Sequence, residues 1–421
     1  MLEMRRLPLA VVPAAMACLA ASACTNKAAA PPPVCSAPQG TSSDAQGLAT
    51  DDTAFAVALF QPAVTTAGAN QNVILSPYSV SATLTMVDVG AAGATDSQIQ
   101  TVLQLPGNGT AIAPAYARLA CEDEGDGTSN GDDLSIANSI WGQQGTEFSS
   151  SFLSVLSGGY DAPLQQVDFE SDPDGATSTI NGWVSGKTDG EIPSLLQPGD
   201  VDPSTRLVLV NAVYFKGAWA TAFDPNNTAP RPFTLADRTQ VSVPTMDASV
   251  TLATGSVQGA TAYELAYKGG ALAMDFIVPT GSLSSFEAGL TSASLAATVA
   301  ALGPPRGNVE LQLPKFSFTT NLGLVPILQG LGITDLFDPS KANLSGMDGS
   351  TDLYVKTVVQ QAIIEVDETG TVAAAATAAG VTDSAYIPPT TIDRPFLFLI
   401  RDTKNGSILF MGQVMDPRQG S

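Results

Sequence analysis

Apolar positions recur at helical spacing over Thr53–Val64, where Phe55, Leu59 and Phe60 share a face. Ser76-Pro77 offers a cap and a first-turn proline, and predicts a helix over Ser79–Val89. Asp96–Leu105, Ser149–Leu156 and Asp174–Ser185 read as further helices, and Leu134–Trp141 as a strand. Arg206–Phe215 is almost unbroken in apolar residues, which predicts a strand buried on both faces. Ala271–Val278, Val309–Leu313, Leu353–Val366, Phe396–Ile400 and Ser407–Val414 read as additional strands. Helices early and strands late, without regular alternation, predict an α+β fold with large, mainly antiparallel sheets.

Ahead of this pattern the chain has a different character. Arg5 and Arg6 precede a short apolar stretch, Leu7–Ala20, and the small residues Ala21-Ser22-Ala23. This reads as an export signal over residues 1–23. Two cuts fit it. One follows Ala23, and the other makes Cys24 a lipidated first residue. Residues 24–52, with Pro31-Pro32-Pro33, read as a disordered tether, and 53–418 as one globular domain. The expected location is outside the cell or in its envelope. In such an oxidising compartment Cys35 and Cys121 are candidates for a disulfide, with two free thiols as the alternative.

Composition removes whole classes of function. The net charge is −22 with only 18 Lys and Arg, so nucleic acid is excluded as a partner. The chain has no histidine, which excludes a Ser-His-Asp triad, a Cys-His dyad and a His-ligated zinc. Asp and Glu are plentiful, but no paired constellation for a carboxylate hydrolase stands out. The acidic run Glu122–Asp133 lacks the spacing of a calcium loop and reads as a solvated loop. No cofactor and no metal are expected.

Several segments, in order, resemble the serpin family of serine protease inhibitors. They are Asn72-Val-Ile-Leu-Ser76-Pro77-Tyr78-Ser79, Gly90-Ala-Ala-Gly93-Ala-Thr95, and Ile180-Asn181 with Trp183-Val184 and Thr188, Gly190 and Ile192. Leu209-Val-Asn211-Ala-Val-Tyr214-Phe215-Lys216-Gly217 with Trp219 is the strongest. Leu313-Pro314-Lys315-Phe316, Leu331-Gly332-Ile333, Asp393-Arg394-Pro395-Phe396 and Phe410-Met411-Gly412 complete the series. The resemblance spans about Thr53 to Pro417. It implies about eight to nine helices and an exposed reactive loop, here about residues 368–390.

The family's hinge resembles Glu368-Thr369-Gly370-Thr371-Val372-Ala373-Ala374-Ala375-Ala376-Thr377. A loop that slides between strands needs small, uncharged side chains, because a buried unpaired charge opposes it by several kcal/mol. Thr371, Ala373, Ala375, Thr377 and Ala379 alternate onto one face of such a strand. By composition alone, an Ala-rich stretch would read as a surface helix or as disorder. In the family the scissile residue lies sixteen after the hinge glutamate, which implies Ser384, with Ala385 next and Tyr386 as the alternative after a register shift. No Lys or Arg occurs between Glu368 and Ile392. The implied partner is therefore a serine-type protease of elastase-like, subtilisin-like or chymotrypsin-like specificity, not a trypsin-like one.

Ser76, Ser79 and Asn211 match the family's shutter beneath the opening sheet, and Trp219 its breach. Ordinary core packing is the alternative reading of all four. Gln360 stands where the family usually has histidine, and glutamine supplies both a donor and an acceptor. The resemblance implies a monomer that is not an enzyme and that traps its target by inserting the cut loop. A non-inhibitory serpin that binds or builds, and a decoy that is merely cleaved, are the rival readings. Membrane contact is expected only through a lipid on Cys24.

Overall fold

The computed structural model describes residues 40–128, 133–257, 259–370 and 388–420. Its helices are α1 (Ser42–Ala67), α2 (Pro77–Asp88), α3 (Gly93–Leu103), α4 (Gly109–Gly127), α5 (Ser150–Gly159), α6 (Pro173–Lys187), α7 (Leu283–Ala288), α8 (Ser292–Ala300), α9 (Val325–Leu331) and α10 (Ser345–Asp348). Its strands are β1 (Val73–Leu75), β2 (Asp133–Gln143), β3 (Gln165–Val167), β4 (Leu207–Lys216), β5 (Ala229–Thr234), β6 (Gln240–Val257), β7 (Ala260–Ala266), β8 (Leu272–Pro279), β9 (Arg306–Pro314), β10 (Phe316–Gly323), β11 (Val355–Val366), β12 (Thr390–Thr391), β13 (Phe396–Asp402) and β14 (Ile408–Val414). Ten helices are present among the described residues, close to the eight to nine expected, and α7, α9 and α10 are short.

The predicted helices and strands are present, β5, β6, β7 and β10 are among those that join them unpredicted, and two readings change. Helix α1 starts at Ser42, not at Thr53, so residues 42–52 are not tether. A capping box at Thr41 and Asp44 starts the helix, and Ala45, Leu48 and Ala49 are buried under it. The second difference is α4, which takes in Glu122–Gly127 of the run read as a solvated loop. Ile112, Tyr116, Leu119 and Asp123 line its buried face.

Two sheets organise the core. The larger has nine strands, ordered β1-β14-β13-β8-β7-β6-β9-β12 with β5 against β6. The second has five, ordered β10-β11-β4-β2-β3. Most pairings are antiparallel, but β11 and β4 at the centre of the second sheet run parallel. Strand β4 is buried on both faces, as its apolar run predicts. Its inner side chains Leu207, Leu209, Val213 and Phe215 join the main core. Its outer Val208, Val210 and Ala212, with Val359 of β11, pack under Ala176, Ile180 and Val184 of α6. Helix α6 thus covers the outer face of this sheet on the side of β2.

Buried carboxyls give the fold a pH dependence. Burial pushes Asp52 and Asp88 up to about 7, partly offset for Asp52 by hydrogen bonds from Ser81 and Tyr116, and for Asp88 by the Gly109 amide. Burial likewise takes Glu287 to about 7. Each binds a proton more tightly folded than unfolded, so stability is full below the usual value of about 4 and declines as pH rises towards about 7. Melting temperature should therefore be higher near about pH 5.5 than near about pH 8. Asp52→Asn should flatten that difference, as scanning calorimetry at the two pH values will read.

Candidate functional site

The site begins where β11 ends. Asp367–Gly370 form a tight turn in which the Asp367 amide donates to the Gly370 carbonyl at 2.9 Å and the Gly370 amide donates back at 3.3 Å. The Asp367 carboxylate caps it, accepting from the Thr369 amide (2.9 Å) and hydroxyl (2.6 Å). The turn reverses the chain, and Gly370 pairs antiparallel with Ala218, just beyond β4. Gly370 has φ 142°, and a Cβ there would run into the Gly217 carbonyl and lie 2.6 Å from Ala218 Cα. Only glycine fits so close a crossing.

Trp219 holds this turn from below. Its amide donates to the Thr369 carbonyl and its indole Nε1 to the Asp367 carbonyl, both at 3.0 Å. Its ring stacks on Tyr267 at 4.7 Å and 11°. Glu368 points inward, only 7% exposed, and accepts from Lys315 Nζ and Thr228 Oγ1, each at 2.6 Å. Burial works against its charge, but Lys315 and Thr228 prevail and hold the carboxyl below its usual range.

Midway down the seam lies a row of amides. Gln360 of β11 is in register with Asn211 of β4, which is in register with Asn138 of β2. The N-terminus of α2 packs against this row. Gln360 Oε1 accepts from the Ser76 amide (3.0 Å), and Gln360 Nε2 donates to the Ser76 carbonyl (2.9 Å). Ser79 Oγ donates to Asn138 Oδ1 (2.5 Å) and lies 3.0 Å from Asn211 Oδ1. Thr83 Oγ1 sits 2.9 Å from the same Asn211 oxygen and also reaches the Ser79 carbonyl at 3.0 Å. Ser79 has one proton to give, and Asn211 Nδ2 is buried with no partner among the described residues. An Asn211 amide turned by half a revolution donates Nδ2 to both hydroxyls and resolves this.

The structure therefore brings Ser76, Ser79, Asn211 and Gln360 together at the seam, and Trp219, Glu368 and Gly370 at its upper end. Asn138, Thr83, Thr228 and Lys315 join them without having been singled out for these positions. Asn138 carried a signal, as an amide side chain within the strand expected over Leu134–Trp141. Thr371, Ala373, Ala374, Ala375, Ala376, Ser384, Ala385 and Tyr386 lie outside the described residues, as do Cys24 and Cys35. Cys121 is disulfide-bonded.

A parallel strand pair with a reversing turn poised over it is a sheet arranged to accept another strand. The profile of serpins, serine protease inhibitors, matches residues 50–417. The chain belongs to the serpin family. Among similar serpins, bovine (Bos taurus) plasminogen activator inhibitor 1 is 37% identical over 387 residues, covering 89% of this chain and 93% of that one. Mouse (Mus musculus) leukocyte elastase inhibitor A is 34% identical over 380 residues, covering 88% and 99%. Native protease nexin-1, solved with heparin, superposes with a TM-score of 0.80 at 31% identity, covering 89% of this chain and all of that one. The family is one of protease inhibitors. In this serpin the side-chain amide of Gln360 bonds both the N–H and the C=O of Ser76.

Gln360→Ala should strand the buried Ser76 N–H and leave the Ser76 carbonyl only the Val80 amide at 3.3 Å, at a cost of about 2 kcal/mol. The expected result is a melting temperature several degrees lower, measured by calorimetry. The shutter row itself contributes no imidazole titration.

Proposed function

We propose that this serpin inhibits a serine-type protease as a suicide substrate. The protease serine attacks the carbonyl of Ser384 and forms an acyl-enzyme. The cut loop then inserts between β4 and β11, replacing one parallel pairing by two antiparallel ones. The acylated protease is carried along before water completes hydrolysis, and the stored stability of the sheet drives the step. What supports this reading is the turn at Asp367–Gly370, which aims the chain back along the seam with Gly370 already paired to Ala218.

Small residues around Ser384 suit elastase-like or subtilisin-like primary pockets, and Tyr386 a chymotrypsin-like one. The absence of Lys and Arg from the loop disfavours trypsin-like targets. We propose further that the chain is exported and acts outside the cell or on its envelope, with or without a lipid on Cys24. The test mixes the protein with subtilisin, elastase, chymotrypsin and trypsin, followed by denaturing gels and intact mass. The expected outcome is a detergent-stable adduct with one of the first three and a released peptide beginning at Ala385. Clean cleavage without adduct would leave a decoy substrate instead.

A further inference from the structure

The end of helix α4 packs flush against β2. A Cβ on Gly127 would lie 2.6 Å from the Leu134 Cβ. Insertion between β4 and β11 parts the second sheet into β10-β11 and β4-β2-β3. The last turn of α4 therefore goes with the second part. Yet side chains fasten that turn to the other sheet, at the loop between β13 and β14. Asn405 Nδ2 donates to Asp123 Oδ1 at 2.8 Å, and Lys404 Nζ to Asp126 Oδ1 at 2.6 Å.

A pair of carboxyls lies at the centre of this fastening. Asp402 is fully buried, and its Oδ1 accepts from the Lys404 amide (2.7 Å) and the Asn405 amide (3.1 Å). Its Oδ2 is buried with no hydrogen-bond partner among the described residues. The Asp126 carboxyl lies beside Asp402, within hydrogen-bonding reach. Two carboxylates cannot bond each other, but a carboxylic acid and a carboxylate can, so one proton held between them gives Oδ2 its partner. Burial foremost, and then the Asp126 carboxyl, pushes Asp402 up to about 6 against the pull of the Lys404 and Asn405 amides. The other charged and titratable groups around the pair are engaged or neutral. Asp123 is fully buried, and burial holds it well above the usual carboxylate range. Glu122 accepts from Arg118 and from Ser42 of α1. Burial and the nearby Asp123 keep Tyr78 of α2 protonated. Arg401 of β13 is paired with Asp275 and Glu264.

We propose that Asp126 and Asp402 form a proton-linked clasp between the end of α4 and the β13–β14 turn, a brake on the parting of the second sheet that eases as pH rises to neutral. The clasp rests on the trapping mechanism above and adds a regulation of its insertion step. The raised carboxyl binds its proton more tightly when clasped, so the clasp is full below the usual value of about 4 and is lost as pH rises through about 6. Opening at the end of α4 should then be about tenfold more frequent at about pH 7.5 than at about pH 5.

Hydrogen exchange of the full chain, read by mass spectrometry at these two pH values and corrected for the intrinsic pH dependence of exchange, tests this. Peptides covering the last turns of α4 should lose about tenfold more protection than peptides of α8 between the lower and the higher pH. Asp402→Asn, whose Nδ2 donates to Asp126 at every pH, should remove that extra loss. Asp126→Asn, donating the other way, should do the same. Protection that changes alike across the molecule, or variants that behave as the parent, would overturn the clasp. Against subtilisin at the higher pH, both variants should be consumed in larger number per adduct than the parent, and at the lower pH in equal number. Equal numbers at both pH values would overturn the brake. A parent that makes no adduct at all would overturn trapping itself, while the exchange measurement would still decide the clasp.

Discussion

Thr377→Arg should abolish adduct formation and turn this serpin into a substrate that proteases cut and leave. The reason is register. Gly370 already pairs with Ala218 and with Asp367. Extending both pairings along an inserted strand brings Thr377 opposite Asn211 on one side and Gln360 on the other. Those residues are themselves in register, so the two extrapolations agree. Thr377 would thus occupy the shutter row, pointing toward Ser76 and Ser79 on α2. A small hydroxyl suits a row of amides and serines. An arginine there would be buried without a carboxylate partner, costing several kcal/mol at the midpoint of insertion. Insertion would stall while acyl-enzyme hydrolysis continued. Gels should show cut inhibitor, free active protease and no adduct. Thr377→Val, which keeps the volume, should retain adduct formation with a raised number of inhibitor molecules consumed per protease trapped.

Glu368→Lys should destabilise the native form and shorten its active life. Wild-type Glu368 is bound by Lys315 and Thr228 at the top of β11, while its carbonyl accepts from the Phe223 amide at 2.7 Å. Reversal of charge puts two ammonium groups at one place where the turn, β10 and the segment after β4 meet. Lys315 is 36% exposed, so solvent softens the repulsion, and a loss of about 2 kcal/mol is a reasonable scale. The larger effect is on topology, since this pair closes the end of the seam at which an inserting strand starts. The variant should melt several degrees lower and self-associate on warming, as one molecule's loop finds another's opened seam. Light scattering and calorimetry read both. Glu368→Gln, neutral and able to keep the Thr228 bond, should fall between.

The parts of this molecule that sequence made legible are those with one dominant physical cause. An apolar run long enough for a strand gives β4 because burial on both faces leaves no alternation to confuse it. Ser76-Pro77 starts α2 because the serine caps the Ser79 amide and the proline has no amide to waste. Helix α4 was hidden because its buried face includes Asp123, and because Gly125 and Gly127 suggest a loop. Tertiary contact with Asn405, whose side-chain amide donates to Asp123 at 2.8 Å, overrides that local preference. Strand β6 escaped because it runs for 18 residues with exposed and buried positions mixed irregularly. The site was legible as residue types and as order along the chain. Its partners Lys315, Thr228 and Asn138 come from distant segments, and only the sheet register and the turn bring them together.

Insertion of the cut loop is the central claim, and heat stability after a single cut tests it most directly. The loop is nicked with a trace of protease, the nick is placed by mass, and the thermal unfolding of cut and intact protein is compared. A serpin that takes its loop into the seam gains backbone hydrogen bonds on both sides of the new strand, so the cut form should unfold tens of degrees higher. Equal or lower stability of the cut form would contradict insertion and leave the poised turn at Gly370 without the role assigned to it here.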